Sequence, residues 1–273
     1  MSKTQLFASA LGNVAFTDNN GVGLPVIFMH GLPTSKELWS PVLADLPAEW
    51  RLITFDLLDY GESEKIARPT NHKERADTLD ELRAHLGLEK FVLVAHDLGS
   101  SVAIDYMGKY AAHVEKLVLI SPPVYPDFVE PFIVKLVRLP GLGEALVTII
   151  KPLLFRVGMA QGMVHKDNLT PEVLKAISGG FKGADGNAAL LRVLRWGRPI
   201  SMFADYPTII ASICAPTLVI QGRCDPYIPE NQVTRLRDTI PGCKLVFIED
   251  GAHFLPLDTP QVAAREINDF LSG

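Results

Sequence analysis

Residues 91–99 are FVLVAHDLG, and this stretch decides the fold. Its first four residues are apolar and predict a short buried strand. In residues 100–110, apolar side chains recur at helical spacing, so a helix is expected there. The small residues Ala95 and Gly99 on either side of Asp97 favour a sharp turn between the two elements. The stretch therefore predicts an aspartate held in a strained, exposed position at the carboxyl end of a strand.

An aspartate in that position has two possible roles. Because the turn leads into a helix N-terminus, an ionised Asp97 is a preformed nucleophile that needs no base to activate it. Aspartate is also a favoured N-cap residue, and a capping role is the more common one for an isolated aspartate. Residues elsewhere in the chain must therefore decide between the two.

Two later loops supply partners for Asp97. Asp225 follows the apolar run 216–222, and His253 follows the run 245–248; both runs predict strands. A nucleophile, an acid and a histidine thus occur in that order, each just after a strand. Asp225 has an alternative role as a turn former, and His253 as a buried core histidine. Because the three coincide at three strand ends, the sequence favours a catalytic triad.

A further turn, residues 30–33 (HGLP), completes a recognisable pattern. Together with the motif around Asp97, it makes the chain resemble the α/β-hydrolase superfamily over nearly its whole length. The HGxP and HDxG motifs resemble the aspartate-nucleophile branch, which contains epoxide hydrolases and haloalkane dehalogenases. The resemblance implies that Asp97, Asp225 and His253 are catalytic.

This resemblance implies a two-step hydrolysis. Asp97 would attack an electrophilic sp3 carbon and form an alkyl-enzyme ester, and His253, oriented by Asp225, would activate a water molecule to hydrolyse it. The backbone N–H groups of Leu32 and Leu98 are the expected donors to an oxyanion or a leaving group.

The sequence departs from both parent patterns at the leaving-group site. Haloalkane dehalogenases usually have tryptophan directly after the nucleophile and many have asparagine in the HGxP turn, but this chain has Leu98 and Leu32 there. Epoxide hydrolases usually have two cap tyrosines, and this chain has none between Tyr125 and Tyr206. A halide needs directed stabilisation, whereas an epoxide oxygen accepts a proton from several residue types, so epoxide-type ring opening is favoured.

Three other functions stay open on the sequence alone. The first is haloalkane dehalogenation. The second is hydrolysis or lysis of an ester, a lactone or a C–C bond of a specialised metabolite, with Asp97 as the base. The third is a non-catalytic ligand receptor derived from a hydrolase.

The order of predicted elements indicates an α/β class, with the α/β-hydrolase fold: a mostly parallel, doubly wound sheet with an inserted helical cap. Residues 1–121 and 207–273 are expected to form the core domain and residues 122–206 the cap, where helical patterns replace strands. Residue type and proximity to the motifs nominate six substrate-binding residues: His30, Trp39, Tyr125, Trp196, Tyr206 and Phe254.

Composition limits the partners. The chain has 273 residues, 48% of them hydrophobic, and a net charge of −5, which argues against nucleic acid as a partner. No apolar run reaches the roughly 20 residues of a membrane span, so no membrane partner is expected. The three cysteines lack metal-ligand spacing and suit a reducing cytoplasm. The sequence predicts a cytoplasmic monomer or homodimer that acts on a small hydrophobic substrate without a cofactor or metal.

Overall fold

A computed structural model describes residues 3–195 and 197–273. In this part of the chain, eight strands form one sheet. They are β1 (Gln5–Ala8), β2 (Asn13–Asp18), β3 (Pro25–Met29), β4 (Arg51–Phe55), β5 (Phe91–His96), β6 (Val114–Ile120), β7 (Thr217–Gly222) and β8 (Lys244–Ile248). Their order across the sheet is β1-β2-β4-β3-β5-β6-β7-β8. The pairs β1–β2 and β2–β4 are antiparallel, and the other neighbours are parallel. The predicted mostly parallel sheet is confirmed.

Helices cover both faces of this sheet. Apart from helices α4–α10, which lie between β6 and β7, they are α1 (Ser40–Leu43), α2 (His72–His85), α3 (Leu98–Tyr110), α11 (Glu230–Thr239), α12 (Leu255–Asp258) and α13 (Pro260–Ser272). Strand β5 illustrates why both faces need covering: Val92 and Val94 point to one face, Leu93 and Ala95 to the other, and all four are fully buried. The alternate residues belong to two separate hydrophobic cores, one on each face, as a doubly wound sheet requires.

The chain between β6 and β7 is helical where the sequence predicts a cap. We call residues 122–206 the cap segment. The helices after β6 are α4 (Phe132–Val137), α5 (Leu142–Ala145), α6 (Lys151–Gln161), α7 (Pro171–Ser178), α8 (Gly183–Arg195), α9 (Pro199–Met202) and α10 (Tyr206–Ala211). The start of α7 follows from its sequence, since the Thr170 side chain accepts a hydrogen bond from Val173 N–H and Pro171 occupies the first turn. The division into a core domain and a cap domain stays a prediction.

One buried ion pair joins the cap segment to the loop after β4. The Arg192 side chain on α8 donates a hydrogen bond to Asp59 at 2.6 Å, and Asp59 is only 1% exposed. Asp59 has a positive φ of 74°, a conformation that is costly for a residue other than glycine. The ion pair therefore connects this strained residue directly to the cap segment.

The central strand should dominate the stability of the fold. Replacing the fully buried Leu93 with alanine leaves a cavity in the core and should lower the free energy of unfolding by about 2–5 kcal/mol. Leu6→Ala, on the edge strand β1 where the leucine is 65% exposed, is the matched control and should change it by less than about 0.5 kcal/mol. Denaturant titration measures both. Equal losses for the two variants would contradict the assigned burial.

Candidate active site

Asp97 lies in a sharp turn between β5 and α3. Its backbone angles are φ 51° and ψ −126°, which only a tightly constrained non-glycine residue adopts. Two glycines make the turn possible. A Cβ atom on Gly99 would lie 2.5 Å from the His30 carbonyl oxygen, and one on Gly31 would lie 2.5 Å from Asp97 Oδ1. The turn after β3 and the turn after β5 therefore touch, as close approach of two backbones requires.

The Asp97 carboxylate has two distinct oxygen environments. Oδ1 accepts a hydrogen bond from the Leu32 backbone N–H at 2.8 Å, while Oδ2 lies 3.5 Å from His253 Nε2. Asp97 occupies the N-cap position of α3, yet its side chain makes no capping hydrogen bond with the described residues. The carboxylate therefore faces the partners expected of a nucleophile and is not used to cap the helix.

His253 is held by Asp225 on the neighbouring strand-end loop. Its Nδ1 donates a hydrogen bond to Asp225 Oδ2 at 3.0 Å. The other carboxylate oxygen, Oδ1, accepts the backbone N–H groups of Tyr227 and Ile228 at 2.8 and 3.0 Å, and the Gln221 side chain donates to Oδ2 at 3.1 Å. Burial raises the pKa of Asp225, but the charge and hydrogen bond of His253 together with these N–H groups bring it below its usual value. The acid is thus fixed and ionised.

Two carboxylates control the charge of His253. Burial of the ring disfavours its charged form, but Asp225 and then Asp97 outweigh this and raise the pKa of His253 from 6.5 to about 10. The ring is therefore an imidazolium at neutral pH while Asp97 is a free carboxylate. The charge of His253 therefore depends on both carboxylates, and a loss of negative charge at either one would lower its pKa.

Two further histidines near the site are structural. His96 Nε2 donates to the backbone carbonyl of His253 at 3.0 Å, and burial lowers the pKa of His96 to about 4. His30, one of the proposed substrate-binding residues, is also fully buried, with a pKa lowered to about 4 by burial. Its Nδ1 donates to Gly31 O, and its Nε2 accepts the backbone N–H of Leu57. Both rings are neutral and brace loops of the site.

A cavity of about 200 Å³ opens above Asp97. The predicted residues Leu32, Leu98, His253 and Phe254 line it together with Asp97. Its remaining walls come mainly from apolar side chains of the cap segment, among them Phe128, Val134, Val147, Leu154, Phe155, Met159, Leu190 and Phe203. The cavity suits a small hydrophobic molecule that contacts Asp97.

Three of the aromatic residues nominated for substrate binding lie away from this cavity. Trp39 is fully buried and packs against Phe28 beneath the sheet. Tyr206 donates its hydroxyl to Asp105 at 2.6 Å, and the Tyr125 ring lies under the Arg235 guanidinium. Trp196 lies outside the described residues.

Sequence reasoning missed four polar residues of the cavity wall: Glu130, Arg138, Lys151 and Tyr227. Tyr227 stacks edge-on against His253, with ring centroids 5.2 Å apart, and its hydroxyl donates to Gly158 O at 2.6 Å. Burial raises the pKa of Tyr227 to about 12, so it stays protonated. Lys151 lines the wall from the start of α6. The position of Tyr227, two residues after Asp225, could have indicated that it lies near the site. No feature of the sequence indicated that Lys151 contacts the cavity.

The described residues carry neither a metal cluster nor a membrane-spanning helix. Within residues 3–195 and 197–273, no group of three or more His, Cys, Asp or Glu side chains is placed to hold a metal ion. No helix in the same ranges combines the length and hydropathy that a membrane span needs.

Comparison with known proteins places the chain in a family. Residues 26–266 match the model of the alpha/beta hydrolase family, so this protein belongs to that family. A Synechocystis protein, provisionally named a non-heme chloroperoxidase, is 27% identical in an alignment of length 254 that covers 87% of each chain. The predicted superfamily and its hydrolase activity are thereby confirmed.

Solved structures agree on the fold. Haloalkane dehalogenase DbeA from Bradyrhizobium elkani superposes with a TM-score of 0.87 and 22% identity, over 100% of this chain and 98% of that one. A thermophilic esterase from Thermogutta terrifontis gives 0.81 and 26% identity, over 99% and 98%. The α/β-hydrolase fold is thus shared by proteins named for different reactions, and the choice between reactions depends on the site.

The pKa of His253 has a consequence for stability. A pKa raised by folding contributes stability that is present in full below about pH 6.5, the unfolded value, and is lost as the pH rises to about 10. Asp225→Asn removes the largest favourable cause, so the pKa of His253 should fall and this pH-dependent loss should shrink. NMR titration of the imidazole nitrogens and unfolding curves at several pH values measure the two effects. A wild-type His253 that titrates near pH 6.5 would contradict the assigned charge.

Proposed function

We propose that this protein is a hydrolase that opens an epoxide, or a related electrophilic carbon, of a small hydrophobic substrate through an ester on Asp97. The observation that carries the proposal is the asymmetric environment of the Asp97 carboxylate. One oxygen is fixed by the Leu32 N–H, and the other faces His253 in an apolar cavity. This arrangement suits a nucleophile that attacks once and is then regenerated by water.

In the first step, Asp97 Oδ2 attacks a ring carbon of the epoxide. The new Oδ2–C bond forms as the bond from that carbon to the ring oxygen breaks, and the oxygen takes a proton. Tyr227 is the tyrosine among the described cavity-lining residues, and it stays protonated because its pKa is about 12. We assign it as the proton donor, a role in which its hydroxyl turns from the Gly158 carbonyl to the ring oxygen. The resulting phenolate regains its proton from the nearby His253 imidazolium, which leaves His253 neutral.

In the second step, neutral His253 removes a proton from water, and the hydroxide attacks the ester carbon of Asp97. The negative charge that develops on Oδ1 meets the Leu32 N–H that already binds this oxygen at 2.8 Å. Collapse of the intermediate breaks the bond between the ester carbon and Oδ2. The product alcohol takes the remaining acid proton, and Asp97 is again a carboxylate beside a protonated His253.

The covalent step can be trapped in the His253→Gln variant. Because His253 acts as the base only in ester hydrolysis, the variant should still be alkylated, while hydrolysis slows about 10²–10⁴-fold. Mass spectrometry should find an adduct of the mass of the epoxide on the peptide that contains Asp97.

Asp97→Asn is the control for this trap and should form no adduct at first. If wild-type enzyme turns over a substrate that leaves no adduct on His253→Gln, Asp97 is not the nucleophile. A role of Asp97 as a base in ester, lactone or C–C bond chemistry would then replace the proposal.

Removing the Tyr227 hydroxyl separates epoxide opening from dehalogenation. Tyr227→Phe should lower kcat/KM for an epoxide by about 10²-fold, because the ring oxygen loses its proton donor. A haloalkane needs no such proton, so any turnover of one should be nearly unchanged. Steady-state rates on both substrate types measure the difference.

Tyr125→Phe, outside the cavity, is the matched control and should leave both rates unchanged. Equal loss on both substrates would assign Tyr227 a structural role only. Turnover of haloalkanes with none of epoxides would establish a dehalogenase, with halide stabilisation by groups other than the Leu32 and Leu98 side chains, which lack N–H donors.

A further inference from the structure

The wall of the cavity contains one cation without a carboxylate partner. Among the described lining residues, Arg138, Lys151 and His253 carry positive charge, and His253 is paired with Asp225 and Asp97. Arg138 is neutralised by Glu130, which it contacts at 2.5 Å and which lines the same wall. In the described part of the chain, no carboxylate lies within ion-pair distance of Lys151. Lys151 is therefore a lining residue whose charge is not offset by a carboxylate of the described residues.

The hydrogen bonds of Lys151 leave room for a ligand. Its Nζ donates to the Phe181 backbone carbonyl and to the Asn187 side-chain oxygen, which are both neutral acceptors. An ammonium has three protons, so one remains. Burial lowers the pKa of Lys151, the direction expected when no anion offsets the loss of water. An anionic ligand would restore that missing interaction.

Helix α6 places this charge far from the reacting end of the cavity. Gly158, seven residues after Lys151 on α6, accepts the Tyr227 hydroxyl, and the Tyr227 ring contacts His253. Seven residues of α-helix span about 10 Å, so Lys151 and the catalytic residues lie toward opposite ends of α6. Leu154 and Phe155, which lie between Lys151 and Gly158 on this helix, line the cavity. The wall thus runs from a cation through apolar side chains to a nucleophile.

We infer that Lys151 is a binding subsite for the carboxylate of an amphipathic substrate whose apolar chain fills the cavity and whose other end reaches Asp97. A carboxylate fits one available ammonium proton, whereas a phosphate would leave most of its oxygens without donors in these apolar walls. The negative charge of Asp97 repels an anion from the opposite end and so fixes the orientation. The inference rests on the proposed function only for the identity of the reacting end.

Binding of unreactive eight-carbon ligands tests the subsite. Octanoate, octanol and octylammonium share a chain but differ in head group, and none has a carbon that Asp97 can attack. Isothermal titration of the whole protein should give octanoate a Kd about tenfold lower than octanol, with octylammonium the weakest. Because this series needs no variant, its outcome does not depend on how a substitution affects folding.

Variants at Lys151 locate the interaction. Lys151→Met should bind octanoate and octanol equally, and Lys151→Arg should keep the preference. Lys175→Met removes an exposed charge of α7 that does not line the cavity, and it should behave as the wild type. Loss of the octanoate preference in Lys175→Met as well as in Lys151→Met would indicate a general charge effect and overturn the subsite.

The two proposals fail separately. Octanoate that binds no better than octanol, or a preference that survives Lys151→Met, overturns the subsite whatever the reaction. The absence of an adduct on His253→Gln overturns the Asp97 ester but leaves a measured octanoate preference valid. Binding of octanoate with loss of the preference in Lys151→Met supports the subsite in either case.

Discussion

The contact between two turns is the constraint on which the site depends. Gly31 and Gly99 let the loop after β3 lie against the elbow after β5, closer than any side chain at either position would allow. That approach presents the Leu32 N–H to Asp97 Oδ1 and leaves Oδ2 turned toward His253. The strained backbone of Asp97 is kept in place by this packing and by the buried strand before it. The orientation of the Asp97 carboxylate is thus set by the packing of two backbone turns.

The charges of the site follow from that geometry. Two carboxylates lie on either side of one buried imidazole ring, and together they overcome its burial, so that the ring is charged before reaction. In the proposed reaction, the change of Asp97 from carboxylate to ester removes part of that support. The same ring would then be a cation in the first step and a base in the second. Burial of the ring strengthens this coupling, because charges interact more strongly where the surroundings are less polar.

Much of this arrangement could be predicted from the sequence. Apolar runs and turn glycines predicted the parallel sheet, and the order of Asp97, Asp225 and His253 predicted three neighbours, which the structure brings together; their catalytic roles stay predictions. Trp39 and Tyr125, nominated by residue type and proximity to the motifs, lie away from the cavity, because neither property tells where an aromatic side chain packs. The position of Lys151 in the cavity wall follows from the packing of short cap helices. Local sequence pattern carries little information about such tertiary contacts.

Helix α6 is tied to both catalytic loops by backbone carbonyls. Gly158 accepts the hydroxyl of Tyr227 beside Asp225, and Gly162 accepts the backbone N–H of Phe254 beside His253. Both acceptors are backbone carbonyls, which do not depend on the identity of the side chain. Side chains of this helix can therefore be substituted while the two hydrogen bonds that attach it are kept. The cap segment is in this sense an interchangeable part: a chimera that preserves these two anchor points could exchange substrate preference between relatives and keep the reaction chemistry.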